Sequence, residues 1–297
     1  MITVYVKGGL GNQMFQYASA YALARRLSQH LTLDISFYPK QSLRGFKLSN
    51  FCISNDVLQK ESGFPLQYEV LKNKYVNKAI RMLKHEVTSI SPDCIYLVES
   101  TKDLVDSFFT VNASDIYLNG YFQSEDYFKK YREELIKQFT PNYKQGMEYN
   151  NALSNIEMSN SIAIHVRRGD FKKQALSDRK AQLHYLLGEV YYRDAIKRIS
   201  NSVENPSFFC FSDDIEWARN SFGDLAKIQF VTLKTDHADI DEMMLMRNCK
   251  HIITANSTFS WWAAWLNEHE NAIRIVPDKR YGTVRMIPDN WIKIPVE

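Results

Sequence analysis

Cysteine is scarce in this chain, and no two cysteines have the close spacing of a metal site or a redox motif. The 297 residues include four cysteines: Cys52, Cys94, Cys210 and Cys249. They lie far apart, and none forms the C-x-x-C pair that is typical of zinc sites and dithiol motifs. We therefore predict reduced core cysteines in a cytoplasmic protein, with neither a disulfide framework nor a zinc site.

Long apolar runs and a strong charge of either sign are also absent. No run approaches the roughly 18 apolar residues of a membrane-spanning helix, and no charged segment precedes a signal-like apolar stretch at the N-terminus. The net charge is +3, with lysine and arginine spread along the chain, so no nucleic-acid partner is predicted. We expect a cytoplasmic protein whose mildly basic surface is compatible with peripheral contact at the inner face of a membrane.

The composition is that of a globular protein, and strand and helix patterns alternate along the chain. Hydrophobic residues make up 45% and charged residues 24% of the sequence, and the length suffices for two domains. The alternation restarts after a polar segment at residues 141–159. It predicts an α/β fold of two Rossmann-like parallel-sheet domains, residues 1–155 and 156–297, facing across a cleft.

The first predicted strand leads into a glycine-rich turn that resembles a dinucleotide-binding fingerprint. Gly9 and Gly11 precede a helix predicted over about residues 13–29, and Asp34 ends the next strand. An acid at this distance is expected to bind a ribose, so an NAD(P)-dependent oxidoreductase is the alternative function. Against it, Met14 occupies the position of the third glycine, where its bulk would obstruct close helix–strand packing.

Two amide side chains, Asn12 and Gln13, stand at the predicted start of this helix. Amides at a helix N-terminus can cap the helix, and they can also bind the hydroxyl groups of a polyol. The turn is therefore interpreted in two ways. It is either a ligand-binding turn or a tight turn with a helix cap and no ligand.

The strand predicted at residues 162–167, the first of the second domain, ends in a cluster of charged side chains. The cluster consists of His165, Arg167, Arg168, Gly169 and Asp170. Ligands of parallel α/β sheets bind beyond the carboxyl ends of the strands, and two guanidinium groups there match the oxygens of a diphosphate. In the alternative interpretation, Arg167 pairs with a structural carboxylate and Arg168 faces solvent.

The pair Asp239 and Asp241 has the D-x-D spacing of acids that hold a divalent metal on a nucleotide-sugar. Both acids also fit the first turn of a helix, where the helix dipole favours them, and we prefer this interpretation for Asp239. Glu242 completes a capping-box pattern with Asp239. Asp241 could instead accept paired hydrogen bonds from a guanine edge.

The segment that starts at Asn256 joins a predicted strand to a tryptophan-rich helix. Its N–H groups and the hydroxyls of Ser257 and Thr258 suit a phosphate. Asp213 ends another predicted strand, where its carboxylate either meets a ligand or caps the following helix. The helix carries three tryptophans at core spacing: Trp261, Trp262 and Trp265.

Taken in order, four of these segments resemble the bacterial α-1,2-fucosyltransferases. They are GGLGNQMFQY at residues 8–17, HVRRGD at 165–170, FSDD at 211–214 and NSTFSWW at 256–262. The resemblance extends over nearly the whole chain. It implies a GT-B fold, GDP-β-L-fucose as donor and inversion to an α-linkage at O2 of a terminal galactose. It also implies a bacterial enzyme of polysaccharide biosynthesis that needs no metal or other cofactor.

The resemblance also implies roles for individual residues. His165 and Asp241 are expected to contact guanine, Arg167 the β-phosphate, and Ser257 and Thr258 the pyrophosphate. Arg168, Asp213 and Asn256 complete the expected nucleotide-binding set.

Asn12 is expected to face the transfer site, and Asp170 and the acids near Glu125 are the candidates for a general base. The expected acceptor is a galactose-terminated glycan or a lipid-linked oligosaccharide. Two features depart from the family: Phe171 stands where tyrosine is common, and the sequence of residues 182–190 differs from the family's usual glycine-containing pattern. The second departure concerns the identity of the acceptor.

Overall fold

The structure is a computed structural model that describes residues 1–40, 44–82, 87–99, 105–169, 185–225, 227–278 and 286–296. The chain forms two compact units, Met1–Tyr143 and Lys144–Glu297. Each unit contains a six-stranded sheet. The predicted α/β class with two parallel-sheet domains is confirmed. No helix in the described ranges is both long enough and apolar enough to cross a membrane.

The first unit is built around strand β1, which occupies the middle of its sheet. The strands are β1 Ile2–Tyr5, β2 Leu31–Asp34, β3 Leu58–Lys60, β4 Val87–Ser91, β5 Cys94–Val98 and β6 Asp115–Asn119. The helices are α1 Leu10–Leu27, α2 Leu66–Lys72, α3 Lys74–Met82, α4 Val105–Thr110 and α5 Arg132–Gln138. The strand order is β3-β2-β1-β6-β5-β4, and β4 alone runs antiparallel to its neighbour within this sheet.

The sheet of the second unit is parallel throughout. Its strands are β7 Asn160–Val166, β8 Pro206–Ser212, β9 Ile228–Val231, β10 His251–Ile253, β11 Arg274–Pro277 and β12 Ile292–Ile294. The helices are α6 Met147–Glu157, α7 Glu189–Ser200, α8 Ile215–Phe222, α9 Ala238–Asn248 and α10 Thr258–Leu266. The order β12-β11-β10-β7-β8-β9 is that of a Rossmann fold, because β7, the first strand of the unit, lies at the centre of the sheet.

The tryptophan-rich helix α10 lies in the core of the second unit, as its apolar spacing predicts. Trp261 and Trp262 are fully buried and Trp265 nearly so. The indole N–H of Trp261 donates to the backbone oxygen of Met286 at 2.8 Å, so its polar atom is satisfied inside the core. These rings therefore have structural contacts and do not form a sugar-stacking platform.

The division between the units falls at residues 143 and 144, earlier than the boundary predicted at 155 and 156. The difference is helix α6, whose polar sequence resembles a linker. Tyr149 and Ile156 are its buried side chains, and the Glu148 carboxylate accepts a hydrogen bond from the backbone N–H of Lys234 at 3.0 Å. These contacts attach α6 to the second unit.

The glycine-rich turn after β1 is shorter than the sequence predicts, because α1 begins at Leu10. Gly8 has a φ of 87°, a backbone conformation that residues other than glycine rarely adopt. Gly9 is the N-cap residue, and it accepts the backbone N–H groups of Asn12 and Gln13. The two amides therefore lie within the first turn of the helix.

Candidate active site

The sheet of the second unit has a topological switch point between its neighbouring strands β7 and β10. The chain leaves β7 towards β8 on one side, whereas β10 continues to β11 on the other. Ligands of open α/β sheets bind outside the carboxyl ends of the strands at such a point. Residues 167–169 follow β7 and residues 254–257 follow β10, so these loops form the candidate site.

Asp213, at the end of β8, holds the loop that follows β7. Nη1 of Arg167 lies 3.0 Å from one carboxylate oxygen of Asp213, and the other oxygen accepts the backbone N–H of Arg168 at 2.7 Å. A Cβ atom at Gly169 would lie only 2.7 Å from Oδ2 of Asp213, so any other residue at this position would displace the Asp213 carboxylate. The Arg167 side chain remains 34% exposed.

Arg168 is turned into the protein and does not face solvent, in contrast to the alternative interpretation of the cluster. Its guanidinium carbon lies 3.8 Å from the centroid of the Trp217 ring. Nη1 donates to the backbone oxygen of Leu187 at 3.2 Å, and Nε lies 3.3 Å from Oδ2 of Asp214. Three protein groups therefore orient Arg168, and its contact with a phosphate stays a prediction.

His165 links the end of β7 to the start of α10. The side chain is buried in β7, and its ring centroid lies 5.4 Å from that of Phe259. Because neighbouring side chains of a strand point to opposite faces, His165 and the buried Val166 lie on different sides of the sheet. His165 is therefore packed against the first turn of α10.

The loop after β10 and the first residue of α10 carry the three polar residues that were predicted to bind the nucleotide. Ser257 caps α10 through its hydroxyl oxygen, which accepts the N–H of Phe259 at 3.3 Å, and Thr258 is the first helical residue. Asn256 is fully buried, and its amide donates to the backbone oxygen of Tyr185 at 2.7 Å. The structure thus places a capped helix N-terminus, which favours anions, at the switch point.

Asp239 and Asp241 lie in the first turn of α9, as the helix-start interpretation predicts. Oδ1 of Asp239 accepts the N–H of the adjacent Ile240 at 3.1 Å. Oδ2 of Asp241, which is buried, accepts the hydroxyl of Thr235 at 2.7 Å. Within the described residues, no group of three or more histidine, cysteine, aspartate or glutamate side chains could hold a metal ion.

The predicted capping box at α9 is wrong. The helix begins one residue earlier than Asp239, and its N-cap, His237, makes no side-chain capping hydrogen bond. Glu242 instead accepts the backbone N–H of Leu233 at 3.3 Å. Burial raises the pKa of Glu242 to about 7, and Asp239 and Asp241 add to the shift. Sequence spacing identifies capping residues only when the helix start is known.

Asp34, the acid of the alternative dinucleotide fingerprint, is a buried structural residue. One oxygen accepts the Tyr68 hydroxyl at 2.8 Å and the Lys72 ammonium at 2.9 Å. The other oxygen accepts the backbone N–H of Ser36 at 3.0 Å. Asp34 is fully buried, so its carboxylate is engaged inside the first unit and the oxidoreductase alternative is not favoured.

Asn12 lies near the switch point of the first sheet, between β1 and β6. Its side-chain oxygen accepts the amide of Gln123 at 2.9 Å. The adjacent Gln13 is fully buried and bonds the backbone of Gly8, Gly45 and Lys47. Gln13 therefore shapes the turn, whereas Asn12 is only partly buried and is the amide that a ligand can reach.

Several site features were missed in the sequence, and some of the predicted positions lie outside the described residues. Two contacts were missed, that of Gln123 with Asn12 and that of Trp217 with Arg168. The partners are far apart in the sequence. The available signal was that Gln123 follows β6 and that Trp217 lies in α8, the helix after β8. Asp170 and Phe171, with residues 182–184 of the divergent segment, lie outside the described residues.

Comparison with known proteins gives relatives that match nearly the whole of this chain. Alpha-1,2-colitosyltransferase of Escherichia coli is 29% identical over 307 residues, covering 99% of this chain and 99% of that protein. The O-antigen biosynthesis glycosyltransferase WbnK of Escherichia coli is 30% identical over 313 residues, covering 97% and 99%. Galactoside 2-alpha-L-fucosyltransferase Sec1 of Mus musculus is 25% identical over 275 residues, covering 90% and 64%.

The fold is similar to that of the NodZ alpha-1,6-fucosyltransferase soaked with GDP-fucose, with a TM-score of 0.51 and 16% identity over 89% of this chain and 92% of that one. The GT-B architecture is thereby confirmed. The family model described as glycosyl transferase family 11 matches residues 1–294. The chain therefore belongs to glycosyl transferase family 11 and is a glycosyltransferase.

Proposed function

We propose that this chain is an inverting α-1,2-fucosyltransferase, which moves L-fucose from GDP-β-L-fucose to O2 of a terminal galactose without a metal ion. The acceptor is a galactose-terminated glycan or a lipid-linked oligosaccharide. The observation on which this proposal depends most is the position of Arg167, whose partly exposed guanidinium is held by Asp213 at the carboxyl end of β7. Family membership and the α-1,2 transferases among the relatives support the reaction type.

The nucleotide is bound by the second unit in this proposal. The buried His165 and Asp241 contact guanine, and the Thr235 hydroxyl occupies one oxygen of Asp241. A carboxylate offers about four lone-pair sites, a number that suits the paired N–H donors of a guanine edge. Ser257 and Thr258 contact the pyrophosphate at the N-terminus of α10, where the helix dipole favours negative charge.

Arg167 supplies the main electrostatic contribution to catalysis. Breakage of the bond between C1 of fucose and the β-phosphate oxygen leaves positive charge on the sugar and adds negative charge to GDP. A guanidinium fixed beside that oxygen stabilises the transition state more than the bound substrate. It can therefore do what a divalent metal does in other nucleotide-sugar transferases.

The acceptor hydroxyl attacks C1 from the face opposite to GDP, which inverts the configuration. Its proton must leave as the new bond forms, and a positioned carboxylate assists this step. Asp170, which follows Gly169 in the sequence, is our candidate for that base. In the first unit we assign acceptor binding to the region of Asn12, whose side-chain oxygen is held by Gln123.

A second donor sugar is favoured by one specific observation, the near full-length similarity to an alpha-1,2-colitosyltransferase. Colitose is L-fucose without the hydroxyl at C3. The two candidate activities thus share the GDP group, the linkage and the chemistry, and they differ only in the contacts made to one hydroxyl. Equal enzyme assayed with GDP-fucose and with GDP-colitose, on the same β-galactoside, separates them by the ratio of kcat/KM.

The function is tested by melting the protein with GDP, GDP-fucose, UDP and NAD, followed by a transfer assay. A ligand that binds only the folded state raises the melting temperature with its occupancy. We expect stabilisation by GDP and GDP-fucose and none by UDP or NAD, and a product whose NMR spectrum shows an α-linkage at O2 of galactose. Stabilisation by NAD alone, or a different linkage, would contradict the proposal.

A further inference from the structure

Helices α2 and α3 present large apolar side chains to solvent in the first unit. Leu66 and Val70 of α2 are 79% and 51% exposed, and Tyr75 and Met82 of α3 are 71% and 73% exposed. Isolated exposed apolar residues are ordinary, but a group of them on adjoining helices points to an interaction site. The helices are separated by Asn73 alone, so the four side chains lie close in the chain.

The exposed side chains occupy one face of each helix. At 100° per residue, Tyr75, Met82 and the exposed Lys74 and Lys78 of α3 fall on the same side. The exposed Leu66 and Val70 of α2 are four residues apart and likewise share a side. We call these six residues the outer face.

The opposite side of the two helices is anchored in the protein. Tyr68 is a core residue, and Leu71 and Ile80 pack against its cluster. The buried amide of Asn77 donates to the Tyr96 hydroxyl at 2.8 Å and to the backbone oxygen of Leu71 at 3.2 Å. The outer face is therefore exposed on helices with a well-packed inner side, and its exposure does not come from an unpacked segment.

The outer face is also positively charged. Nζ of Lys74 lies 4.8 Å from the centroid of the Tyr75 ring, and Lys78 is exposed one turn further along α3. The acid of α2, Glu69, is engaged by Lys72, whose side chain is buried. The charge that this surface offers to a partner is thus lysine charge beside apolar groups.

We propose that the outer face binds an anionic membrane surface. Lysine is depleted in protein–protein interfaces, whereas lysine on a helix that also exposes tyrosine and aliphatic residues suits the boundary between headgroups and acyl chains. The helices are short, so binding is weak and reversible and depends on anionic lipid. This inference does not rest on the proposed reaction, and it would bring any acceptor carried on a lipid within reach.

Sedimentation with vesicles tests the proposal. The full chain is mixed with vesicles of phosphatidylcholine alone or of phosphatidylcholine with phosphatidylglycerol, and the bound fraction is measured. We expect binding to the anionic vesicles only, weakened by salt because the charges are screened. The double variant Lys74→Gln, Lys78→Gln should bind them about tenfold or more weakly, since each lysine near such a surface contributes to the attraction.

A double variant of the apolar part, Tyr75→Ser with Met82→Ser, should lose binding as well. Its matched control is Met147→Ser with Met158→Ser, because these methionines of the second unit are about as exposed, at 77% and 76%. The control should bind like the unaltered chain. Transfer to a soluble galactoside should be equal in all variants, which separates this test from that of the function.

Three outcomes would overturn the proposal. One is the absence of binding to anionic vesicles, and another is equal loss of binding in the Met147 and Met158 control. The third is concentration-dependent self-association that the Tyr75 and Met82 variant abolishes, because a second copy of the chain would then be the partner. Melting temperatures of all variants confirm that each is folded.

Discussion

Replacement of Arg167 by lysine separates a catalytic role from a structural one, because it keeps the charge and removes the fork of donors. Arg167 forms an ion pair with Asp213 at 3.0 Å, between side chains that are 34% and 27% exposed. Partly exposed pairs of this kind contribute roughly 0–1 kcal/mol to stability, and lysine retains some of that. The melting temperature should therefore fall by no more than about 2–4 °C.

Turnover should respond far more strongly than stability. If Arg167 grips the β-phosphate with two N–H groups, the compact ammonium of lysine cannot span the same oxygens. Loss of one donor that stabilises developing charge costs about 3 kcal/mol, or on the order of a hundredfold in kcat. GDP affinity should decrease less than kcat, because the contact strengthens as the bond to fucose breaks.

Arg193→Lys is the matched control. Arg193 donates two hydrogen bonds to Asp224, at 3.0 and 3.3 Å, and its partner is well exposed. The same chemical change away from the switch point should leave kcat and GDP affinity unchanged. Initial rates with saturating GDP-fucose, GDP titration calorimetry and melting curves measure the three quantities. A folded Arg167→Lys variant with near-normal turnover would remove Arg167 from the mechanism.

Three further results are expected. Asp34→Asn should lower the free energy of unfolding by about 3 kcal/mol in denaturant titrations, because the buried Lys72 loses its fully buried counter-charge and keeps the partly exposed Glu69; an unchanged midpoint would show that the pair is dispensable. Burial raises the pKa of Glu242 from 4.5 to about 7, so the folded state binds the proton more tightly and stability is lost as pH rises from about 4.5 to 7. Glu242→Gln does not titrate, so the difference in unfolding free energy between this variant and the unaltered chain should grow in favour of the variant by about 2–3 kcal/mol from pH 5 to pH 8. The same dependence of unfolding free energy on pH in both proteins would contradict the cause given. Transfer should survive EDTA, since Arg167 takes the place of a metal; activity lost on chelation and restored by Mn²⁺ or Mg²⁺ would show that Asp239 and Asp241 serve a metal after all.

Much of the fold follows from local patterns in the sequence. Apolar β-branched runs and amphipathic periods identify strands and helices from near neighbours alone, so the two parallel-sheet domains and the loops after β7 and β10 were predicted. The start of α1 was misplaced because Leu10 and Gly11 resemble turn residues. The predicted boundary between the domains lies inside helix α6, because the sequence of that helix is mostly polar.

Partners that are distant in the chain could not be predicted in the same way. Arg168 lies 45 positions from Asp213, which accepts its N–H, and nothing in either local sequence indicates that contact. The same holds for Asp34, whose carboxylate meets Tyr68 and Lys72. Its sequence spacing matches a ribose-binding acid, and only the folded contacts reveal a structural role.

The central position of β1 has a consequence for synthesis of the chain on the ribosome. Ile2 pairs with Leu31 on one side and with Ile116 on the other. The first sheet therefore cannot be completed until β6 has emerged from the ribosome. All residues of this unit nevertheless precede Lys144. The first unit can therefore finish folding while the second is still being translated, and domains that fold as separate units in this order expose less apolar surface to aggregation. A pause in translation soon after β6 would favour the first unit, whereas one before it would hold β1 unpaired on one edge.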